Sequence, residues 1–115
     1  MTINLDNNGL KSIIEDYDLF FIDLWGVVHN GVKLNEKAID VLAKISEAKK
    51  NYILLTNAPR PNSIVKIFLE KMGMNKNMRE NVYTSGEADL SYLKKKISRA
   101  KFLSYWSANR FLFIY

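Results

Sequence analysis

The sequence predicts an α/β domain in which helices flank a short parallel sheet. Two short apolar runs, residues 19–22 and 52–55, each stop directly before a polar residue, Asp23 and Thr56. Runs of this kind predict strands buried on both faces, as in a parallel sheet. Segments with apolar residues three and four positions apart lie between and after them, which predicts crossover helices. A chain of 115 residues has room for one such domain.

The elements follow in order along the first half. Leu10, Ile13, Ile14 and Tyr17 have the spacing of an amphipathic helix. The first strand follows at residues 19–24. Residues 28–34 alternate around Asn-Gly, the favoured two-residue hairpin turn, and predict a small flap. Asn at position 35 can then cap a helix over residues 36–49, whose expected inner face is Ala38, Val41, Leu42 and Ile45.

The second half begins with a strand at residues 52–55. Two prolines at positions 59 and 61 force a loop and start a helix that Gly73 ends. We expect this helix to face inward through Ile64, Ile67 and Phe68. Residues 75–81 are polar and predict a loop, and Val-Tyr at 82–83 is a short candidate strand. A last helix is expected from Ser85 to about residue 97.

Composition excludes several classes of protein. The chain has no cysteine, so disulfides and thiolate-bound zinc are excluded. No run approaches the roughly 18 apolar residues of a membrane span, and the N-terminus has no signal-peptide pattern. A cytoplasmic location is therefore expected. The net charge of +5 comes from residues 91–115, which carry six basic and no acidic side chains, so no nucleic-acid partner is expected for the domain itself.

Asp23 is the first candidate for chemistry. It directly follows four apolar residues, 19–22, near the carboxyl end of the predicted strand, and ligands of open α/β sheets bind at the carboxyl ends of the strands. An acid at this point can also do no more than cap the following loop. Spacing alone leaves both interpretations open.

Three stretches together resemble one family. Asp23-Leu24-Trp25-Gly26-Val27-Val28-His29-Asn30-Gly31 is similar to the first motif of the haloacid dehalogenase (HAD) superfamily of phosphohydrolases, in the D-L-W-G-V-x-H-x-G branch of its subfamily IIA, the nitrophenylphosphatase-like group. Leu54-Leu55-Thr56-Asn57 resembles the second motif, and residues 83–88 resemble a segment typical of subfamily IIA. The resemblance covers residues 8–97. It implies an incomplete Rossmann-like core whose cap domain is missing.

The resemblance also implies a reaction. Asp23 would attack the phosphorus of a phosphate monoester, a small phosphorylated metabolite, and form an aspartyl-phosphate. Mg²⁺ would offset the charge between the two anions, held by Asp23 and the backbone carbonyl of Trp25. Thr56 and Asn57 would bind the phosphoryl oxygens, although a Thr at a strand end can also act only as a cap.

Trp25 departs from the family pattern. Most of these phosphatases have a second Asp there, which protonates the leaving oxygen, and an indole cannot do so. Trp25 can instead pack against the flap. His29 is the only histidine, and either a contact to substrate or an exposed position on the flap fits it. Arg60 could either contact an anion or be a solvated surface residue.

The family's later lysine and Mg²⁺-binding acids have no match in this sequence, so we expect the chain to be inactive. Residues 98–115 form a second segment, rich in basic and aromatic residues, after the core segment 1–97. Read in the next frame with suitable codons, Phe-Leu-Ser-Tyr-Trp-Ser-Ala-Asn-Arg becomes Phe-Tyr-His-Ile-Gly-Pro-Pro-Ile-Asp, which resembles a strand of the family. We therefore interpret residues 98–115 as the product of a frameshift.

Two other functions stay open. The chain could be a non-catalytic module that keeps a phosphate pocket around Asp23 and Thr56. Alternatively, the basic aromatic segment could bind a membrane surface or single-stranded nucleic acid.

Overall fold

The computed structural model describes residues 4–96, 103–106 and 111–114. Its centre is a parallel sheet of three strands in the order β1 (Leu19–Asp23), β2 (Asn51–Thr56), β3 (Val82–Thr84). The register pairs Asp23 with Leu55 and Thr56 with Thr84, so the three strands end close together. The predicted α/β architecture with a parallel sheet is confirmed, including the short third strand.

Helices connect the strands. The described ones are α1 (Leu5–Asn8), α2 (Glu36–Glu47), α3 (Asn62–Lys71), α4 (Lys76–Arg79) and α5 (Ser85–Lys96). Asn35 caps α2, since its side chain accepts a hydrogen bond from the backbone N–H of Lys37. Gly73 follows α3 with φ of +88°, a left-handed conformation that costs glycine little.

The core lies between one face of the sheet and the helices α2 and α3. Its buried apolar side chains come from the sheet, from these two helices and from the segments that follow β1 and α3: Leu24, Val28, Leu42, Ile45, Tyr52, Leu54, Val65, Leu69, Met74 and Val82. Tyr52 and Leu54 both face the core, because side chains of a strand alternate between faces and these residues are two positions apart on β2.

The prediction that the strands are buried on both faces was wrong, because the opposite face of the sheet is exposed. Phe21 is 64% exposed, and Leu19, Leu55 and Tyr83 on the same face are also exposed. Helices α2 and α3 pack on the other face of the sheet, where the core lies. Apolar side chains point to both faces of β1, and sequence alone does not tell which face a helix covers.

Several local predictions were also wrong. Residues 10–17 form two short 3-10 turns, Leu10–Ser12 and Ile14–Asp16, instead of one helix. Residues 75–81 contain the short helix α4. In α3 the buried residues are Val65 and Leu69, whereas Ile67 and Phe68 are exposed. Val41 of α2 is exposed too.

The predicted two-residue hairpin at Asn30-Gly31 is a longer loop. His29 and Leu34 form an antiparallel bridge, and the loop between them spans residues 30–33. The side-chain oxygen of Asn30 accepts hydrogen bonds from the backbone N–H groups of Val32 and Lys33. These two bonds stabilise the wider turn, because they satisfy backbone groups at its tip.

The end of the chain holds a second, antiparallel pair of strands, β4 (Leu103–Trp106) and β5 (Phe111–Ile114). The proposed boundary at residue 97 lies outside the described residues. The frameshift interpretation and the binding of this segment to membranes or nucleic acid stay predictions. Within the part of the chain that the structure describes, no helix is long and apolar enough to cross a membrane.

Candidate functional site

The three parallel strands end at one polar edge. Asp23 ends β1, Thr56 ends β2 and Thr84 ends β3, and the register brings these ends together. Asp23, Thr56 and Asn57 line one open cavity of about 290 Å³, together with Thr84 and Ser85. The sequence-predicted nucleophile and phosphate-binding residues therefore share one site.

The carboxylate of Asp23 is fixed by its own backbone. Its Oδ1 accepts a hydrogen bond from the N–H of Leu24 at 2.9 Å. The same N–H also donates to the carbonyl of Leu55, at 3.2 Å, which continues the pairing of β1 with β2. Asp23 is exposed to solvent at the strand end. One carboxylate oxygen is thus oriented by the fold, and the group is accessible to a ligand.

The loop after β2 is held by the start of α5. The hydroxyl of Thr56 accepts a hydrogen bond from the N–H of Ala58 at 3.3 Å, a cap of the kind that the sequence also allowed. The carbonyl of Ala58 accepts two hydrogen bonds, from the N–H of Gly86 and the hydroxyl of Ser85, each at 3.2 Å. These hydrogen bonds therefore hold the loop that carries Asn57 against the start of α5.

Sequence reasoning missed a second attachment, which we call the α3–α5 clamp: Arg60, Asn62, Thr84 and Glu87. The side chain of Asn62 accepts from the N–H of Thr84 at 2.9 Å, and the carboxylate of Glu87 accepts from the N–H of Asn62 at 3.0 Å. The hydroxyl of Thr84 donates to the carbonyl of Arg60 and accepts from the N–H of Glu87. The spacing Thr-x-x-Glu predicts the local helix cap, but no local pattern identifies the partner 25 residues away.

Trp25 packs on the flap. Its ring lies so close to Gly31 that a β-carbon there would come within 2.7 Å of the indole, and Gly31 has φ of +89°. The ring also meets His29 edge-to-face, with centroids 5.6 Å apart. The expectation that Trp25 packs against the flap agrees with these contacts.

His29 is buried, with 7% of its surface exposed, so the expectation of an exposed flap residue was wrong. Its ring lies edge-to-face between Trp25 and Phe68, the latter at 5.5 Å. Its Nδ1 accepts a hydrogen bond from the N–H of Gly31 at 3.0 Å. Burial lowers the pKa of His29 below its ordinary value, and the nearby negative charge of Asp23 opposes this shift.

A second cavity of about 330 Å³ adjoins the first. Trp25, His29 and Phe68 line it, and so does half-buried Arg60. Thr56 and Asn57 line both cavities. The loop after β2 is therefore the wall between a site with a carboxylate and a site with three rings.

The comparisons with known proteins agree with this geometry. The family model for haloacid dehalogenase-like hydrolases matches residues 20–110, which is most of the chain. The chain belongs to the haloacid dehalogenase-like hydrolase family. The match of the family model includes part of segment 98–115. No curated protein matches the chain.

Two solved structures are similar to the chain. A haloacid dehalogenase-like hydrolase from Brucella suis 1330 is 34% identical with a TM-score of 0.69, over 75% of this chain and 32% of that one. A 4-nitrophenylphosphatase from Thermotoga maritima is 22% identical with a TM-score of 0.63, over 77% of this chain and 34% of that one. The chain thus spans about a third of the length of these structures.

The residues at the strand ends supply some of the oxygen ligands that a hard cation such as Mg²⁺ prefers. Mg²⁺ takes oxygen ligands and keeps several waters. Asp23 and the carbonyl of Trp25 are the two oxygen donors that the family resemblance assigns. Among residues 4–96, 103–106 and 111–114, no group of three or more acidic or other metal-ligating side chains comes together.

Proposed function

We propose that this site acts on the phosphoryl group of a phosphate monoester, a small phosphorylated metabolite, with Asp23 as the nucleophile. The observation that carries the proposal is that Asp23, Thr56 and Asn57 line one cavity at the carboxyl edge of a parallel sheet. Ligands of such sheets bind at this edge. Membership of a hydrolase family supports the same reaction class.

Attack by Asp23 would form a bond from a carboxylate oxygen to phosphorus while the ester P–O bond breaks, and the alkoxide would leave and take a proton from water. Because Oδ1 already accepts from the N–H of Leu24, the other oxygen, Oδ2, is the better candidate for attack. The hydroxyl of Thr56 and the amide of Asn57 would hold phosphoryl oxygens as charge develops. Water would then cleave the aspartyl-phosphate and restore the carboxylate.

Mg²⁺ would bind to Asp23 and the carbonyl of Trp25 and reduce the repulsion between carboxylate and phosphate. With two protein donors and the remaining positions filled by water, binding would be weak. The departing alkoxide has no acid at position 25 to protonate it. General acid help is worth about 10² to 10⁴-fold in rate, so alkyl phosphates would be hydrolysed slowly or not at all.

The second candidate function is a phosphate-binding module without turnover. It is favoured by the contacts of Trp25, whose indole packs on Gly31 and His29 where the family's usual second Asp would reach the leaving group. This candidate keeps the same pocket and the same roles for Thr56 and Asn57.

One experiment separates the two functions. The full chain is assayed with an aryl phosphate with and without Mg²⁺, and binding of inorganic phosphate is measured by calorimetry. Turnover that requires Mg²⁺ and disappears in Asp23→Asn supports the enzyme. Phosphate binding without turnover supports the module.

Variants of Thr56 test the pocket itself. Thr56→Val removes the hydroxyl at similar volume and should weaken phosphate binding about tenfold, whereas Thr56→Ser keeps the hydroxyl and should stay within about threefold. Equal affinities in both variants would exclude Thr56 as a phosphate ligand. Absence of phosphate binding by the unmodified chain would exclude both functions.

A further inference from the structure

The face of the three-stranded sheet that points away from the core is apolar and exposed. Its residues lie on one side, because side chains alternate along a strand and the register aligns neighbouring strands. We call this surface the open face, and its exposed apolar residues are Leu19, Phe21, Leu55 and Tyr83. Parallel sheets normally have both faces covered, and a contiguous exposed apolar patch is typical of an interaction surface.

Strands β4 and β5 form a second apolar surface in the same chain. Seven of their eight residues are apolar, and Ser104 is the exception. Cross-strand partners share one side of a sheet, which gives the β4–β5 pair an aromatic side at positions Trp106, Phe111 and Phe113. A two-stranded sheet is at best marginally stable in water by itself. The β4–β5 pair therefore needs another surface to pack on.

The β4–β5 pair does not extend the main sheet of its own molecule, since the described strands form two separate sheets. The molecule is elongated, with principal extents of 50 × 31 × 25 Å and a Cα radius of gyration of 16.6 Å. A compact chain of this length has a radius of gyration of about 13 Å. The elongated shape favours a contact between the pair and a second copy of the chain over a contact between the pair and its own sheet.

Charge favours a contact between the pair and the sheet of another copy over a contact between two pairs. Residues 91–115 carry six basic and no acidic side chains, a net charge of +6. Residues 1–90 carry 11 basic and 12 acidic side chains, a net charge of −1. Two pairs packed together would bring like charges close to each other, whereas a pair on the open face would not.

We propose that the open face binds the β4–β5 pair of a second copy of this chain, through the aromatic side of the pair. Because each copy has both surfaces, the contact is made twice and gives a two-fold dimer by exchange of one element. Burial of apolar area and ring packing stabilise the dimer. Leu55 and Tyr83 of the open face also line the cavity of Asp23, so the second copy becomes part of the wall of that cavity.

The contact is tested by NMR with a spin label on the full chain. The chain has no cysteine, so one introduced cysteine carries the label without competing sites. A copy labelled at Tyr105→Cys, on the other side of the β4–β5 pair, is mixed with an isotope-labelled unmodified copy. We expect the amide signals of Phe21 and Leu55 in the isotope-labelled copy to broaden. A label at Glu47→Cys, an exposed residue of α2, is the control and should leave these signals sharp, because α2 packs on the opposite face of the sheet.

The dimer itself is measured by sedimentation over a range of protein concentrations. Phe113→Ser should weaken dimerisation at least about tenfold, because it removes a ring from the aromatic side of the pair. Leu112→Ser is the matched control, because it changes the neighbouring residue of β5, which lies on the other side of the pair. The control should stay within about threefold of the unmodified chain. Thermal midpoints of both variants check that the fold is kept.

Each other result overturns the proposal. A chain that stays monomeric at all concentrations forms no such dimer. Broadening that occurs only when spin label and isotope are in the same molecule shows that the pair covers its own sheet. A dimer without broadening at Phe21 and Leu55, or one that Phe113→Ser and Leu112→Ser weaken equally, uses another surface.

Discussion

Gly86 lies directly against the backbone of Arg60. A β-carbon at Gly86 would come within 2.7 Å of the carbonyl oxygen of Arg60 and 2.6 Å of the carbonyl carbon of Pro59. Both are backbone atoms, which cannot rotate away as a flexible side chain can. The first turn of α5 thus reaches the loop after β2 only because residue 86 has no side chain.

We expect Gly86→Ala to destabilise the protein by about 1 to 3 kcal/mol, the usual cost of overpacking. At an unobstructed helix position the same change stabilises by about 0.4 to 1 kcal/mol. Urea unfolding measures the change in the free energy of unfolding, and the sign of this change distinguishes overpacking from stabilisation. A stabilised variant would show that the contact between α5 and the loop is not tight. Phosphate binding should weaken in parallel, because the loop that carries Asn57 would shift.

The clamp gives a second prediction, at Glu87. Its carboxylate accepts from the N–H of Asn62, the first residue of α3, where the helix dipole favours a negative charge. Glu87→Ala should cost about 1 to 2 kcal/mol in the free energy of unfolding, and Glu87→Gln less, since it keeps the acceptor. Asp89→Ala, two residues along the same helix and exposed, is the control and should change stability by less than about 0.5 kcal/mol. Equal effects at Glu87 and Asp89 would rule out the clamp as a source of stability.

These contacts explain what the sequence could and could not predict. Asp23 was singled out because it directly follows four apolar residues, which is a local signal, and its role, like the roles of Thr56 and Asn57, was assigned from the resemblance to the family's motifs. The pairs Gly86 with Arg60 and Glu87 with Asn62 are distant in the sequence, and their contact follows from how α3 and α5 pack. A Gly in the first turn of a helix carries no sequence signal for a close approach of backbones.

The predictions for the flap turn and for the buried faces of the helices were wrong for a related reason. The Asn-Gly pair at 30–31 predicts a tight turn, but Trp25 packs on Gly31 and the side chain of Asn30 bonds within the loop. In α3, several apolar residues compete for the inner face. Val65 is buried while Phe68 lies beside His29. Local periodicity gives the existence of the helix, and tertiary contacts select its face.

Tyr52 gives a prediction for alkaline pH. It is buried, and burial raises the pKa of its phenol above 10.0, while hydrogen bonds with Ser46 and Asn81 oppose the shift. Below pH of about 10 both folded and unfolded states keep the proton. Above it the unfolded chain loses the proton first, so the free energy of unfolding falls, by up to about 1.4 kcal/mol per pH unit for one group.

The measurement is urea unfolding of the protein and of Tyr52→Phe at pH 8 and above pH 10. At pH 8 the variant should be less stable by about 1 kcal/mol, because Ser46 and Asn81 lose their partner. The difference in the free energy of unfolding between the protein and Tyr52→Phe should shrink above pH 10, because the tyrosine titrates there and phenylalanine does not. Tyr17→Phe, at an exposed position, is the control. A gap that stays constant with pH would contradict the raised pKa.

The open face of the sheet gives the last prediction. Phe21 lies in the middle of β1, an edge strand of the described sheet, pairs with Ile53 of β2, and is 64% exposed. Parallel sheets are normally covered on both faces, and an exposed apolar face beside an edge strand favours association with a second copy of the chain. Phe21→Lys should therefore lower self-association in light scattering or sedimentation and change stability by less than about 1 kcal/mol. Val32→Lys adds the same charge at a position that is 84% exposed on the flap. If it lowers association as much as Phe21→Lys does, net charge rather than the sheet face is responsible.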